Sequence, residues 1–175
     1  MRKVILITIV LFSCSTLSAA SNKNINLSFL KNQTVLNCVV DFSQVTYYDP
    51  SDGKDFLSTA SAMEFEEWKK TIARDESYYL KRFHSGVVSD LNPKILSLGN
   101  IPTASYTVRI EINKLTRKGD VYANIVFLNT DTNENLCSFE LFGDGGTIGT
   151  LMNLVGDGMR SLGEDLGEII KKKRK

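Results

Sequence analysis

The chain has 175 residues, 42% of them hydrophobic and 23% charged, with a formal net charge of +1 and only 12 Gly and 3 Pro. This composition suits a single globular domain and excludes a disordered, collagen-like or linker-dominated chain. Three cysteines with no C-x-x-C pair exclude a disulfide-stapled scaffold and a four-cysteine zinc site.

The first twenty residues carry the three parts of an export signal: basic Arg2 and Lys3, an unbroken apolar run from Val4 to Phe12, and small Ser18-Ala19-Ala20. That run is far shorter than the about 20 residues a membrane-spanning helix needs. Cleavage is expected between Ala20 and Ser21, which places the mature chain in the periplasm or outside the cell. Leu11-Phe12-Ser13-Cys14 also resembles a lipobox, although bulky Phe12 stands where such boxes carry a small residue. A lipidated Cys14 would tether the domain to a membrane.

Charge is unevenly spread over what remains. Residues 21–170 hold 14 basic and 20 acidic side chains, a net of −6, and Lys171-Lys172-Lys173-Arg174-Lys175 adds +5. Two readings fit this basic tail. Its cations complement the negative end of a preceding helix and then fray into solvent, or they meet an anionic membrane surface or another protein. There is no other basic stripe, which argues against nucleic acid as a partner.

Residues 21–33 are polar and Asn-rich and read as a flexible leader to a single domain over 34–170. In 34–42 the even positions Leu36, Cys38, Val40 and Phe42 are all apolar, as expected of a strand inside a sheet. Val45 to Tyr48 extends that strand or adds an edge, and Asp49-Pro50-Ser51-Asp52-Gly53 is a turn cluster. Ser61 and Glu64 have the spacing of a capping box ahead of Phe65, Trp68 and Ile72 at helical intervals. A break is expected near Arg74-Asp75-Glu76-Ser77, beyond which Tyr79 or Leu80, Phe83, Val87 and Leu91 resume the stripe until Asn92-Pro93 stops it.

The clearest period of two is Tyr106, Val108, Ile110 and Ile112 alternating with Thr107, Arg109, Glu111 and Asn113. Turns at 117–120 and 129–135 then separate strands over 121–128 and 136–142, which predicts an antiparallel meander. Gly143-Asp144-Gly145-Gly146 opens a helix from about Ile148 to Lys171, with a seam of Leu151, Val155, Met159, Leu162, Leu166 and Ile169. Gly149, Gly156 and Gly163 recur every seven residues beside it. Because a mid-helix glycine costs about 1 kcal/mol against alanine, they need a reason. They let the helix lie close against the sheet or the other helix, or they form a groove for a partner helix. The element order implies an α+β fold, a sheet of about four strands with helices packed on one face.

Several chemistries fall away. The glycine loop lacks the Lys-Ser/Thr of a P-loop and the G-x-G-x-x-G pattern. Asp131-Thr132-Asn133-Glu134-Asn135 mimics the start of a calcium loop, but Leu136 and Phe142 stand where glycine and a bidentate Glu are needed. His84 is the sole histidine, in line with Leu80 and Val88, and no G-x-S-x-G elbow offers it a serine. No catalytic residue, metal site or cofactor motif emerges. Cys38 and Cys137 both lie on apolar faces of expected strands: they can form a disulfide if those strands are neighbours and are otherwise two buried thiols.

An export signal, a first strand Leu36-Asn37-Cys38-Val39-Val40-Asp41-Phe42, helices, the strand Tyr106-Thr107-Val108-Arg109-Ile110-Glu111-Ile112, a strand pair around Asp131–Asn135 and a terminal Gly-rich helix together resemble a bacterial envelope group. It includes the amino-terminal domain of the Tol-Pal propeller protein, curli-secretion-type lipoproteins and small lipoprotein activators of cell-wall synthases. The resemblance implies an exported, non-catalytic module that binds other envelope proteins, here through the sheet face, the glycine-lined helix or the tail. A small exported hydrolase using His84 and a carrier of apolar ligands are the alternatives.

Overall fold

Apolar residues at alternate positions along four strands bury one side of a mixed sheet, and two long helices cover that side. A computed structural model describes residues 25–48, 59–91 and 96–175, with the backbone alone at 59–62, 64, 73–74 and 90. The export signal with Cys14, the turn cluster at 49–53, the Asn92-Pro93 stop and the side chains of the Ser61–Glu64 pair lie outside the described residues. No described helix is long and apolar enough to cross a membrane.

The strands are β1 (Val35–Asp41), β2 (Thr46–Tyr48), β3 (Ser97–Gly99), β4 (Tyr106–Thr116), β5 (Val121–Asn129) and β6 (Asn135–Gly143), and the helices are α1 (Thr59–Asp90) and α2 (Leu151–Lys173). The spatial order is β3-β1-β4-β5-β6, and β2 pairs with β4 beyond the end of β1. β1 runs parallel to both β3 and β4. β4, β5 and β6 form the expected antiparallel meander. The α+β class therefore stands, with six strands among the described residues where about four were expected. β2 is a separate strand because the chain turns out of the ladder at Phe42–Val45 and rejoins β4 at Lys114. β3 has only three residues, too few for a period to register.

Two further expectations need correction. α1 runs unbroken through Arg74–Ser77. No Gly or Pro interrupts Thr59–Ser85, and within that stretch Asp75 is buried near the start of α2 in a pocket it shares with Thr150, Leu151 and Met152. The second is the flexible leader: its later part is packed. A short 3-10 turn at Ser28–Leu30 sinks Leu27 and Leu30 fully into the core, and Phe29 meets Tyr106 and Phe127 with ring centroids 5.1 and 5.8 Å apart. Three apolar side chains within Asn-rich sequence suffice to hold it, because their burial outweighs the solubility of their neighbours.

The helix layer is close-packed at glycine positions. A Cβ on Gly163 would stand 2.2 Å from the Phe83 carbonyl oxygen, and one on Gly86 would stand 2.0 Å from that of Arg160. Between helices and sheet, Tyr79, Phe83, Met159, Ile110, Ile125 and Phe127 are fully buried.

Candidate functional site

The sheet's β1 side is incompletely covered, and a groove follows from it. β3 pairs only with Val35, Leu36 and Asn37. Among the described residues, no strand lies on that side of β1 from Cys38 to Asp41. The exit from β1 is fixed locally: the Asp41 carboxylate accepts from the Ser43 N–H at 2.8 Å, and the Val45 N–H donates to the Phe42 carbonyl at 3.1 Å. Those bonds from Ser43 stabilise the charged carboxylate and hold its pKa below the usual range.

Beside this stretch of edge lies an open pocket of about 580 Å³. Val39, Phe42, Val45 and Ile72 supply apolar surface, and Asp41, Lys69, Glu76 and Arg109 supply charge of both signs. Val39 is 39% exposed. Arg109 is held by Glu111 at 2.8 Å, and Glu111 in turn accepts from Asn124 at 3.0 Å. Lys69 bridges to Glu66 at 2.6 Å while lying 4.9 Å above the Phe65 ring. Phe42, which lines the pocket, also packs edge-on against Trp68 and Tyr79. The arrangement offers backbone donors and acceptors along a strand edge, with apolar side chains and charges of both signs beside it. Such a surface suits an extended peptide. Sequence reading missed it because the groove exists only where three-residue β3 ends.

The residues singled out from sequence fall elsewhere. Cys38 and Cys137 lie in one row across the sheet, Cys38 opposite Val108, Val108 opposite Phe127, Phe127 opposite Cys137. Two strands separate them, about 14 Å at normal strand spacing, so a disulfide between them is excluded. Both are free thiols. Burial pushes both thiol pKa values up, and at Cys137 it does so against the opposing effect of an N–H from Asn26.

Gly156 and Gly163 are buried against α1, facing the Tyr78 ring and the Phe83 backbone. Of the two readings, close packing against the other helix is the one seen at both positions. Gly149 is exposed and precedes α2, which starts at Leu151 with Thr150 as its cap; its φ of +139° serves the loop. The tail is ordered too. α2 continues through Lys173, and Arg174 donates to the carbonyls of Lys31 at 3.0 Å and Gln33 at 2.9 Å. Lys171, Lys172 and Lys175 remain exposed. In the stretch Gly143–Gly146, a Cβ on Gly145 would lie 2.0 Å from the Lys118 carbonyl oxygen, so this glycine serves close packing. His84 is half-buried on α1, and its Nε2 is enclosed without a hydrogen-bond partner among the described residues. No group of three or more His, Cys, Asp or Glu that could hold a metal ion occurs among them.

No protein-family model matches the chain. No curated protein matches it. Solved structures do. A Xanthomonas campestris protein of family DUF330 is 8% identical, with 82% of this chain and 90% of that one covered and a TM-score of 0.38. An uncharacterized protein is 12% identical over 83% and 96% of the two chains, TM-score 0.42. The PelC dodecamer of Paraburkholderia phytofirmans is 11% identical over 79% and 90%, TM-score 0.37. Likenesses this distant assign neither ligand nor partner to this chain.

Proposed function

We propose that the protein is an exported, non-catalytic binding module of the bacterial cell envelope, which takes an extended segment of a partner protein along the free edge of β1. The observation that carries this reading is the groove beside Cys38–Asp41, where a strand edge left unpaired among the described residues runs next to a pocket of about 580 Å³. Strand addition gains affinity from main-chain hydrogen bonds and selectivity from side-chain pockets. The export signal in residues 1–20 supports the compartment, and exposed Lys171, Lys172 and Lys175 offer a peripheral contact for an anionic surface.

The test is site-specific photocrosslinking in cells. A crosslinker at Val39 should give one discrete adduct with an envelope protein, and one at Ile148, which is 90% exposed and distant in the chain, should not. Lys69→Glu, at a half-exposed side chain lining the same pocket, should weaken the Val39 adduct while leaving the protein folded. Monomer alone in the envelope fraction, with no adduct at Val39, would refute the proposal.

A further inference from the structure

β6 is the outermost strand, and among the described residues no strand pairs with its far side along Asn135–Gly143, the one neighbour named there being the Asn26 N–H at the Cys137 thiol. An open edge is a template for another strand, and proteins that must stay single blunt it with Lys, Pro, a bulge or mere shortness. The opposite edge offers only short stretches: β3 has three residues, and the part of β1 beyond it, Cys38–Asp41, ends where the chain turns away at Phe42–Val45. β6 has nine residues, no Lys, Arg or Pro, and one charge, Glu140. Its register irregularity lies at the start of the strand, leaving Cys137–Gly143 regular. It also displays Phe142, 39% exposed, and half-buried Leu136.

We propose that β6 pairs antiparallel with β6 of a second copy of this chain, about a two-fold axis at Phe139, merging two sheets into one. A two-fold contact demands a self-complementary surface, and the sequence Asn135-Leu136-Cys137-Ser138-Phe139-Glu140-Leu141-Phe142-Gly143 meets that demand in this register. Cys137 stands opposite Leu141 of the second copy and Phe139 opposite its counterpart, all on the helix-covered side. Ser138 stands opposite Glu140, and Phe142 lies beside Leu136 of the second copy, the residue at the register irregularity. Sliding by two residues in one direction sets Glu140 against Glu140 of the second copy; in the other it sets Glu140 against Leu136. Charge and apolar pairing therefore select one register.

Because Ser138 is exposed in the single chain, it can be changed without disturbing the fold, and each two-fold contact contains the 138–140 pair twice. Sedimentation equilibrium of the mature chain should show a dimer. Ser138→Glu sets two pairs of like charges together and should weaken it roughly fivefold or more, and Ser138→Lys should tighten it by a similar factor. Both shifts should shrink at high salt. A wild-type chain that stays monomeric at every concentration overturns the proposal, as does a pair of variants shifting in the same direction. A monomer whose Ser138–Glu140 amides all resist hydrogen exchange would assign the edge to another segment of the same chain, and overturns it likewise.

Discussion

The backbone of α2 at Gly163 lies so near that of α1 at Phe83 that a single added methyl would reach within 2.2 Å of the Phe83 carbonyl oxygen. The two helices cross at a point where only glycine fits, with Gly86 and Gly167 making matching approaches to Arg160 and Val87. Arg82 clamps the same interface, forming an ion pair with Asp157 and donating to the Gly156 carbonyl at 3.3 Å.

Gly163→Ala should therefore destabilise the protein by about 2–3 kcal/mol, because overpacking against backbone outweighs the about 1 kcal/mol that alanine gains in helix propensity. Gly99→Ala is the control: the nearest side-chain atoms lie 3.8 Å from the added Cβ, and stability should change little. Urea unfolding of both variants distinguishes the two effects.

Tyr79 is fully buried and accepts a hydrogen bond from the Trp68 indole at 2.6 Å. Tyr79→Phe leaves that N–H without its acceptor and should cost about 1–3 kcal/mol, read by denaturation with Trp68 fluorescence as the probe.

Burial also raises the Tyr79 phenol to about 12, with Asp75 adding to the shift. An unfolded tyrosine ionises near 10, so the fold favours the neutral phenol. The contribution is intact below pH of about 10 and is lost as pH rises toward 12, on the order of 1 kcal/mol per pH unit. The stability difference between wild type and Tyr79→Phe should narrow across that window and stay constant between pH of about 6 and 9.

The two cysteines should behave unequally and never pair within one chain. In native protein, a maleimide should modify half-buried Cys137 and spare buried Cys38, with both modified in denaturant. Because burial raises the Cys137 thiol, its reaction should keep accelerating as pH climbs above the ordinary thiol range. Intact mass before and after labelling reads both outcomes.

Arg174→Ala removes the two bonds that join the end of α2 to Lys31 and Gln33, and should lower stability by about 1 kcal/mol and speed hydrogen exchange over Leu27–Leu30. Removing Lys175 alone should do neither. If the terminal cations merely frayed into solvent, the two changes would be equivalent.

Much of the architecture was legible in local pattern. The alternation Tyr106-Val108-Ile110-Ile112 set β4 and its inward face, the polar turns at 117–120 and 129–135 set the meander, and the seam Leu151–Leu166 set α2. These signals are legible because each strand or helix must hide its own apolar face, a requirement written into spacing alone. What sequence could not decide was adjacency. Strand order separates Cys38 from Cys137 by β4 and β5. The helix crossing turns Gly156 and Gly163 toward α1 rather than a partner, and Leu27 and Leu30 become core only once a pocket exists for them. The short reach of β3 leaves the edge of β1 open. Each of these depends on which distant segments meet, and a residue's own neighbours in the chain carry no record of that. The opening net charge of +1 divides similarly: composition assigned −6 to the body and +5 to the tail, but only the fold showed Arg174 tied to Lys31 and Gln33 while Lys171, Lys172 and Lys175 stay exposed.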